Sequence, residues 1–141
     1  MAPGLVHPRW GVRQRGHRTF GLFAHVTWHT WRRQNSVRRA DVETVARAIC
    51  DAASRNSVHV IAQAVLADHV HVLVSFLPER PLTPFVRDAK SESARRANRA
   101  GLPHLRWARG YYAGSISPGH IPVVRNYLGR QHQRHPDRVP A

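Results

Sequence analysis

The sequence is short of thiols, lysines and acidic residues. Cys50 is its one cysteine, so the chain can form neither an intrachain disulfide nor a cysteine-based zinc site. Lys90 is its one lysine, and only 8 Asp and Glu residues accompany 22 Lys and Arg residues. No stretch approaches the roughly 18 consecutive apolar residues that are needed to cross a membrane. We therefore expect a protein of the reducing cytoplasm that has no membrane partner.

The excess of basic residues is the strongest signal in the composition. The formal net charge is +14 over 141 residues. A surface of this charge attracts polyanions, and nucleic acid is the commonest of them. Genomic codon bias, a ribosome-associated role or binding to a membrane surface would produce a similar composition. Charge alone thus favours nucleic acid without identifying it.

The spacing of apolar residues predicts an α+β protein with the element order β-α-β-β-α-β-α. The predicted strands cover residues 19–28, 58–66, 69–76 and 111–117, and the predicted helices cover residues 41–55, 84–100 and 120–133. A tight connection at Ala67 and Asp68 predicts an antiparallel hairpin between the second and third strands. We expect a ferredoxin-like α/β sandwich with a mainly antiparallel sheet of four to five strands.

The length of the chain fits one domain, which we place at residues 19–134. Residues 1–18 are basic and interrupted by proline and glycine, so we expect a flexible leader there. Residues 135–141 are expected to form a loose tail.

Two histidines of the third predicted strand are candidate metal ligands. In a strand, His69 and His71 share one face, while Val70, Val72 and Val74 share the other. Two neutral imidazoles at this spacing suit a divalent metal. The same pattern also fits a polar strand face that is satisfied by hydrogen bonds. Asp68, which precedes the pair, could orient one imidazole or simply occupy the turn.

Tyr127 and Gln131 are four residues apart in the last predicted helix, which places them on one helical face. A tyrosine beside a metal that polarises a phosphate can attack and form a covalent ester, and the Gln131 carbonyl oxygen could bind that metal. Packing of Tyr127 in the core, with Gln131 in solvent, explains the same spacing.

Several further side chains are candidates for contacts with nucleic acid. The basic residues of the predicted helix at 84–100 could follow a DNA backbone or form a solvated face: Arg87, Lys90, Arg95, Arg96 and Arg99. Aromatic residues could stack on unpaired bases, with Trp28 and one of the two adjacent tyrosines expected in the core instead: Trp28, Trp31, Trp107, Tyr111 and Tyr112. Among the histidines, His25 and His29 could contact DNA, whereas His104, His120, His132 and His135 are expected at the surface.

Taken together, these motifs resemble the small single-tyrosine HUH transposases of insertion sequences, the TnpA type, including their REP-associated relatives. The matching segments, in chain order, are His25-Val26-Thr27-Trp28, Asp68-His69-Val70-His71-Val72-Leu73, residues 85–96, Trp107-Ala108-Arg109-Gly110-Tyr111-Tyr112 and Tyr127-Leu128-Gly129-Arg130-Gln131. The chain departs from the family pattern at Lys90-Ser91, where Lys-Gly is usual, and in its longer basic leader.

The resemblance implies an enzyme that nicks and rejoins single-stranded DNA at insertion-sequence ends. His69, His71 and Gln131 would hold one divalent ion, Mg²⁺ or Mn²⁺, and Tyr127 would form a 5′-phosphotyrosine intermediate. The implied partners are DNA hairpins and a second copy of the chain, with an active site that in some members is shared between subunits. The expected location is the cytoplasm, in association with the nucleoid.

Two other functions remain open on the sequence. One is a domesticated or inactive relative that binds DNA hairpins without cleavage. The other is a ferredoxin-like RNA-binding protein, which would explain the charge and leave the four candidate site residues unexplained.

Overall fold

The computed structural model describes residues 4–6, 21–99 and 101–141. Within them the strands are β1 (Gly4–Val6), β2 (Leu22–His29), β3 (His59–Val65), β4 (His69–Phe76) and β5 (Tyr112–Ile116). The α-helices of the same residues are α1 (Val42–Arg55), α2 (Thr83–Arg99), α3 (Ile121–Gly129) and the short α4 (Gln131–Arg134).

The described strands form one antiparallel sheet in the order β1-β3-β4-β2-β5. The four strands β3-β4-β2-β5 follow the ferredoxin-like arrangement. In this arrangement β4 lies between β2 and β3, which precede and follow α1 along the chain. The predicted α+β class, the antiparallel sheet and the β3–β4 hairpin are therefore confirmed.

Helices α1 and α2 pack together on one face of the sheet. The apolar stripe of α1 and the inward residues Val70, Val72 and Val74 of β4 are buried in the same core, to which α2 contributes Phe85 and Ala89. Strict alternation in β4 is what turns these valines to one side. The opposite face, which carries the histidines, is thus turned away from α1 and α2.

Helix α3 covers part of that opposite face. Its Leu128 is 1% exposed and packs in a second apolar cluster with Ile61 and Leu73 of the sheet, while Val124 and Tyr127 lie at the margin of the cluster. This packing holds α3 on the face of the sheet that carries the histidines.

The last helix is not continuous, so the prediction of one helix over residues 120–133 is wrong. Helix α3 ends at Gly129, and Arg130 has non-helical angles of φ −104° and ψ 6° before α4 begins at Gln131. Glycine weakens a helix because it carries a high cost in backbone entropy. Tyr127 and Gln131 therefore do not share one regular helical face.

Both ends of the chain differ from the loose segments that were expected. Strand β1 lies inside the expected leader 1–18 and pairs with β3, whereas residues 1–3 and 7–20 lie outside the described part of the chain. Residues 135–141 contact the hairpin, because the backbone N–H of Ala67 donates to the carbonyl of Arg138 at 2.6 Å. The segment 135–141 is thus attached to the fold.

Truncating the large buried aromatic ring of α2 should destabilise the protein. Phe85 is 0% exposed in the core between the sheet and the two helices. We expect Phe85→Ala to lower the free energy of unfolding by about 3–5 kcal/mol, since it removes apolar burial and leaves a cavity. Urea unfolding followed by circular dichroism measures this difference.

The matched control is Val123→Ala, which truncates a helical residue that is 63% exposed. We expect it to change the unfolding free energy by less than about 0.5 kcal/mol. Equal losses in the two variants would contradict the assignment of Phe85 to the core.

Candidate active site

The pairing of β2 with β4 determines which side chains meet on the histidine face. Thr27 lies opposite His71, and His29 lies opposite His69. The Nε2 atoms of His69 and His71 are 3.1 Å apart, so the two rings point at the same spot. Both histidines therefore present one nitrogen each to a common position.

The outer nitrogen of each ring is held by another side chain. Asp68 Oδ1 lies 2.7 Å from Nδ1 of His69, and His25 Nε2 lies 2.8 Å from Nδ1 of His71. Hydrogen bonds of this kind fix both the orientation and the tautomer of a metal-binding imidazole. Asp68 thus has the orienting contact considered from the sequence.

Asp68 is almost fully buried, and two arginines compensate its charge. Its Oδ2 lies 3.7 Å from Nη1 of Arg33 and 3.5 Å from Nη1 of Arg138. Arg138 belongs to the segment that was expected to be a loose tail. Because a buried carboxylate is costly unless it is paired, this segment contributes to holding Asp68 and, through it, His69.

Burial keeps the histidine cluster neutral. Removal from water is the main cause that lowers the pKa of His71 to about 3, and the neighbouring His69, His25 and His135 contribute to that value as potential positive charges. Burial also lowers the pKa of His69 and of His25, although for His69 the Asp68 carboxylate acts in the opposite direction. Neutral imidazole is the form that binds a metal.

Tyr127 and Gln131 of the same chain reach this cluster. The Tyr127 ring lies edge-on to His71, with ring centroids 5.8 Å apart. Gln131 is fully buried, and its Nε2 donates to the Tyr127 carbonyl at 3.2 Å. The amide also lies close enough to His71 to raise the pKa of that ring slightly against the effect of burial.

The donor set fits a divalent ion with two imidazole nitrogens and one amide oxygen. Gln131 Oε1 is buried and has no hydrogen-bond partner among the described residues, which is costly unless something else binds it. The two Nε2 atoms, 3.1 Å apart, would be the nitrogen donors of such a site. Within the described chain no group of three His, Cys, Asp or Glu side chains forms a metal site. Gln131 Oε1 is thus the further oxygen donor that the described residues offer beside the two imidazoles.

The basic residues of α2 lie on the helix that packs against the other face of the sheet. Lys90 donates to the carbonyls of Ala108 and Gly110, at 2.6 and 3.1 Å, and so holds a loop. Arg95 and Arg96 pair with Glu92, and Arg96 also pairs with Asp51 at 2.9 Å. Arg87 pairs with Asp88 at 3.8 Å, and Arg99 is exposed with no ion pair among the described residues.

The aromatic candidates differ in how far their rings are available. Trp28 is buried in the core, and the indole N–H of Trp107 donates to Ser93. Two guanidinium groups, those of Arg32 and Arg106, lie 4.2 and 4.6 Å from the Trp31 ring. Tyr111 and Tyr112 are 38% and 63% exposed, so the prediction that one of them lies in the core is wrong.

Sequence reasoning missed the structural roles of several histidines. His104 is half-buried and bonds to Asp41 at 2.7 Å, and His132 bonds to the carbonyl of Val65 at 3.0 Å, so both assignments to the free surface are wrong. His135 approaches His69, with ring centroids 6.2 Å apart. His25 is the largest omission, because only the strand register reveals that it meets His71. No local pattern in the sequence contains that register.

Acid should destabilise the metal-free protein through His71. Its pKa is about 3 in the folded chain and near the ordinary 6.5 when the chain is unfolded, so between these values the unfolded chain binds more protons. The free energy of unfolding should therefore fall as the pH is lowered from about 7 towards 4, by up to about 1.4 kcal/mol per pH unit from this group.

Urea unfolding in the presence of EDTA at several pH values measures this slope. We expect His71→Gln to flatten it and His120→Gln, at an exposed histidine, to leave it unchanged. Identical slopes for the native protein and His71→Gln would contradict the assignment of this pH dependence to His71.

Comparison with known proteins identifies the family of the chain. A family model described as IS200-like transposase matches residues 18–131. The ISDra2 transposase TnpA of Deinococcus radiodurans is 27% identical over 123 residues, which cover 82% of this chain and 87% of that protein.

Two solved structures share the fold. One is a crystal structure of a transposase from Deinococcus radiodurans R1, with a TM-score of 0.63, 24% identity and coverage of 85% of this chain and 97% of that one. The other is a REP-associated tyrosine transposase bound to a REP hairpin, with a TM-score of 0.64, 15% identity and coverage of 82% and 68%. In the described residues no helix is long and apolar enough to span a membrane. Since the family model covers most of the chain, this protein belongs to the family of IS200-like transposases.

Proposed function

We propose that this transposase nicks and rejoins single-stranded DNA, with Tyr127 as nucleophile and His69, His71 and Gln131 as ligands of one divalent ion. The observation that carries the proposal is the convergence of all four side chains within one chain, together with the unpartnered buried oxygen of Gln131. A buried amide oxygen without a partner is costly, and a bound cation would satisfy it.

The nucleophilic step is a transfer of a phosphoryl group to the tyrosine. The Tyr127 oxygen attacks the phosphorus, the bond to the 3′ oxygen breaks, and the products are a 5′-phosphotyrosine and a free 3′-OH. The phenol loses its proton and the leaving 3′ oxygen gains one. Attack by a 3′-OH on the phosphotyrosine reverses the step and rejoins DNA without an external energy source.

A divalent ion at this site would polarise the scissile phosphate. The ligand set of two imidazoles and one amide suits Mn²⁺ better than Mg²⁺, which prefers oxygen ligands. The Arg134 guanidinium lies 5.3 Å from the Tyr127 ring, so it adds positive charge where the phosphate would approach.

The DNA partner that we propose is a single strand with a hairpin. The net charge of +14 supplies the general attraction to phosphate. Of the basic residues on α2, Arg99 is the best placed for phosphate contacts, because it is exposed and forms no ion pair among the described residues. Arg87 pairs with Asp88 at 3.8 Å, and Lys90, Arg95 and Arg96 also bind protein atoms. A base could stack on the exposed ring of Tyr112.

The homodimer implied by the resemblance belongs to the same proposal. One chain supplies Tyr127 together with the histidine pair, so a site shared between subunits is not needed for the chemistry. Association with the nucleoid would follow from binding to chromosomal DNA.

Loss of the phenol of Tyr127 should abolish a covalent protein–DNA adduct. The assay incubates the protein and Mn²⁺ with end-labelled single strands that carry hairpins from candidate element ends, and detects label on the protein in a denaturing gel. Tyr127→Phe should form less than about 1% of the native adduct, since phenylalanine has no nucleophilic oxygen, and should still bind the DNA. His69→Ala should lose the adduct for lack of the metal.

The matched control is Tyr112→Phe, which removes a phenol from an exposed tyrosine outside the histidine cluster. It should retain the adduct. An adduct that persists in Tyr127→Phe would refute the assigned nucleophile, and its absence from the native protein on all end sequences would favour a hairpin-binding protein that does not cleave.

A further inference from the structure

The two candidate metal ligands have different partners on their outer nitrogens. His69 has a carboxylate, Asp68, which can only accept a hydrogen bond while it is ionised. His71 has a neutral imidazole, His25, which can either donate or accept through its Nε2 atom. This difference restricts where the protons of the cluster can be.

Without a metal, the proton on His69 determines which nitrogen donates and which accepts in each of the remaining hydrogen bonds. Nδ1–H of His69 donates to Asp68, which leaves a lone pair on His69 Nε2. The neighbouring His71 Nε2, at 3.1 Å, must then carry the hydrogen that lies between the two rings. Nδ1 of His71 is consequently an acceptor, and His25 donates to it from Nε2.

A bound metal requires the opposite arrangement at His71. Both ligand Nε2 atoms must then offer lone pairs, so the His71 hydrogen resides on Nδ1 and needs an acceptor. His25 can provide one if its own hydrogen moves from Nε2 to Nδ1. Each ring keeps one hydrogen, so no proton is gained or lost in the exchange.

We propose that His25 is a positioning residue for the metal site, which switches from hydrogen-bond donor to acceptor of His71 when the metal binds. The inference rests on the proposed metal site. Its basis is the 2.8 Å contact between His25 Nε2 and His71 Nδ1, on rings whose planes are 21° apart with centroids separated by 5.0 Å.

The position of His25 suits this role better than a direct contact with DNA. It stands opposite Leu73 in the β2–β4 register, and His71 lies two residues before Leu73 on the same face of the sheet. The His25 ring also meets the edge of the Tyr127 ring, with centroids 6.2 Å apart. It is only partly exposed, between the sheet and α3.

Binding of Mn²⁺ to the DNA-free protein tests this role, with free Mn²⁺ measured by electron paramagnetic resonance. His25→Phe retains a ring and removes its nitrogens, so we expect affinity to fall roughly 10- to 100-fold, as is typical when the hydrogen-bond partner of a ligand is lost. In His25→Gln the amide can donate or accept at a similar reach, so we expect affinity within about 3-fold of native.

The matched control is His29→Phe, on the same strand and the same face. His29 stands opposite His69 but forms no side-chain hydrogen bond to either candidate ligand in the described part of the chain. Its replacement should leave Mn²⁺ affinity within about 3-fold of native. Thermal unfolding of all variants shows whether a loss of affinity accompanies a loss of folding.

A second measurement observes the tautomers directly by ¹⁵N NMR of the histidine rings. The native metal-free protein should show His25 protonated on Nε2, and saturation with Zn²⁺, a diamagnetic probe, should move that proton to Nδ1. An unchanged His25 tautomer would overturn the switch.

The remaining outcomes separate the two proposals. Equal Mn²⁺ affinity in the native protein and His25→Phe overturns the role of His25 while the metal site stands. Equal losses in His25→Phe and His25→Gln assign His25 to packing and also overturn its role. A native protein that binds no Mn²⁺ refutes the metal site of the proposed function itself.

Discussion

The antiparallel register between β2 and β4 is the constraint on which the candidate site depends. It pairs each residue from Leu22 to His29 with one from Phe76 back to His69. A shift of one residue would turn every side chain of one strand to the other face, which would place valines in the site and imidazoles in the core. The valines of β4, fully buried against α1 and α2, make that shift costly. The larger core thereby holds the histidines in place from the opposite side of the sheet.

Burial of this polar face has a cost that the surrounding segments offset. Asp68 accepts hydrogen bonds at its backbone carbonyl from Thr30, and its carboxylate pairs with two arginines and one histidine. The loop after β2 and the C-terminal segment both meet at this point, since Val37 donates to the Ala67 carbonyl and Arg138 accepts from the Ala67 N–H. Segments that are separate along the chain thus stabilise Asp68, which orients the candidate ligand His69.

The basic character of the chain serves two purposes. Part of the arginine content binds protein groups, as at Arg96 between Asp51 and Glu92 and at Arg138 beside Asp68. A count of charges therefore overstates the number of arginines that are available to phosphate. With 22 basic and 8 acidic residues the remainder still greatly exceeds what internal pairing can use, and the surface stays attractive to nucleic acid.

The sequence by itself determined the order of the elements from β2 to α3, the hairpin and the class of fold, because apolar periodicity records directly which face of a strand or helix is buried. The burial of Val70, Val72 and Val74 shows how closely that pattern follows the structure. Strand-level geometry likewise placed His69 and His71 on one face, since alternation is a property of the strand alone. The assignment of those histidines to one site with Tyr127 and Gln131 rested on the resemblance of the ordered motifs to a known family, because no local pattern links the two segments.

Only the tertiary structure decided how the site is completed. The docking of residues 135–141 and the contact between His25 and His71 join groups that are far apart along the chain. The break of the last helix at Arg130 was likewise visible only in the structure. Local propensity carries no information on strand register or on which helix covers which face, because both arise from packing across the whole sheet. For this reason the sequence offered His25 only as a candidate for DNA contact. It became the neighbour of both a candidate ligand and the candidate nucleophile only once β2 lay beside β4 and α3 lay over them.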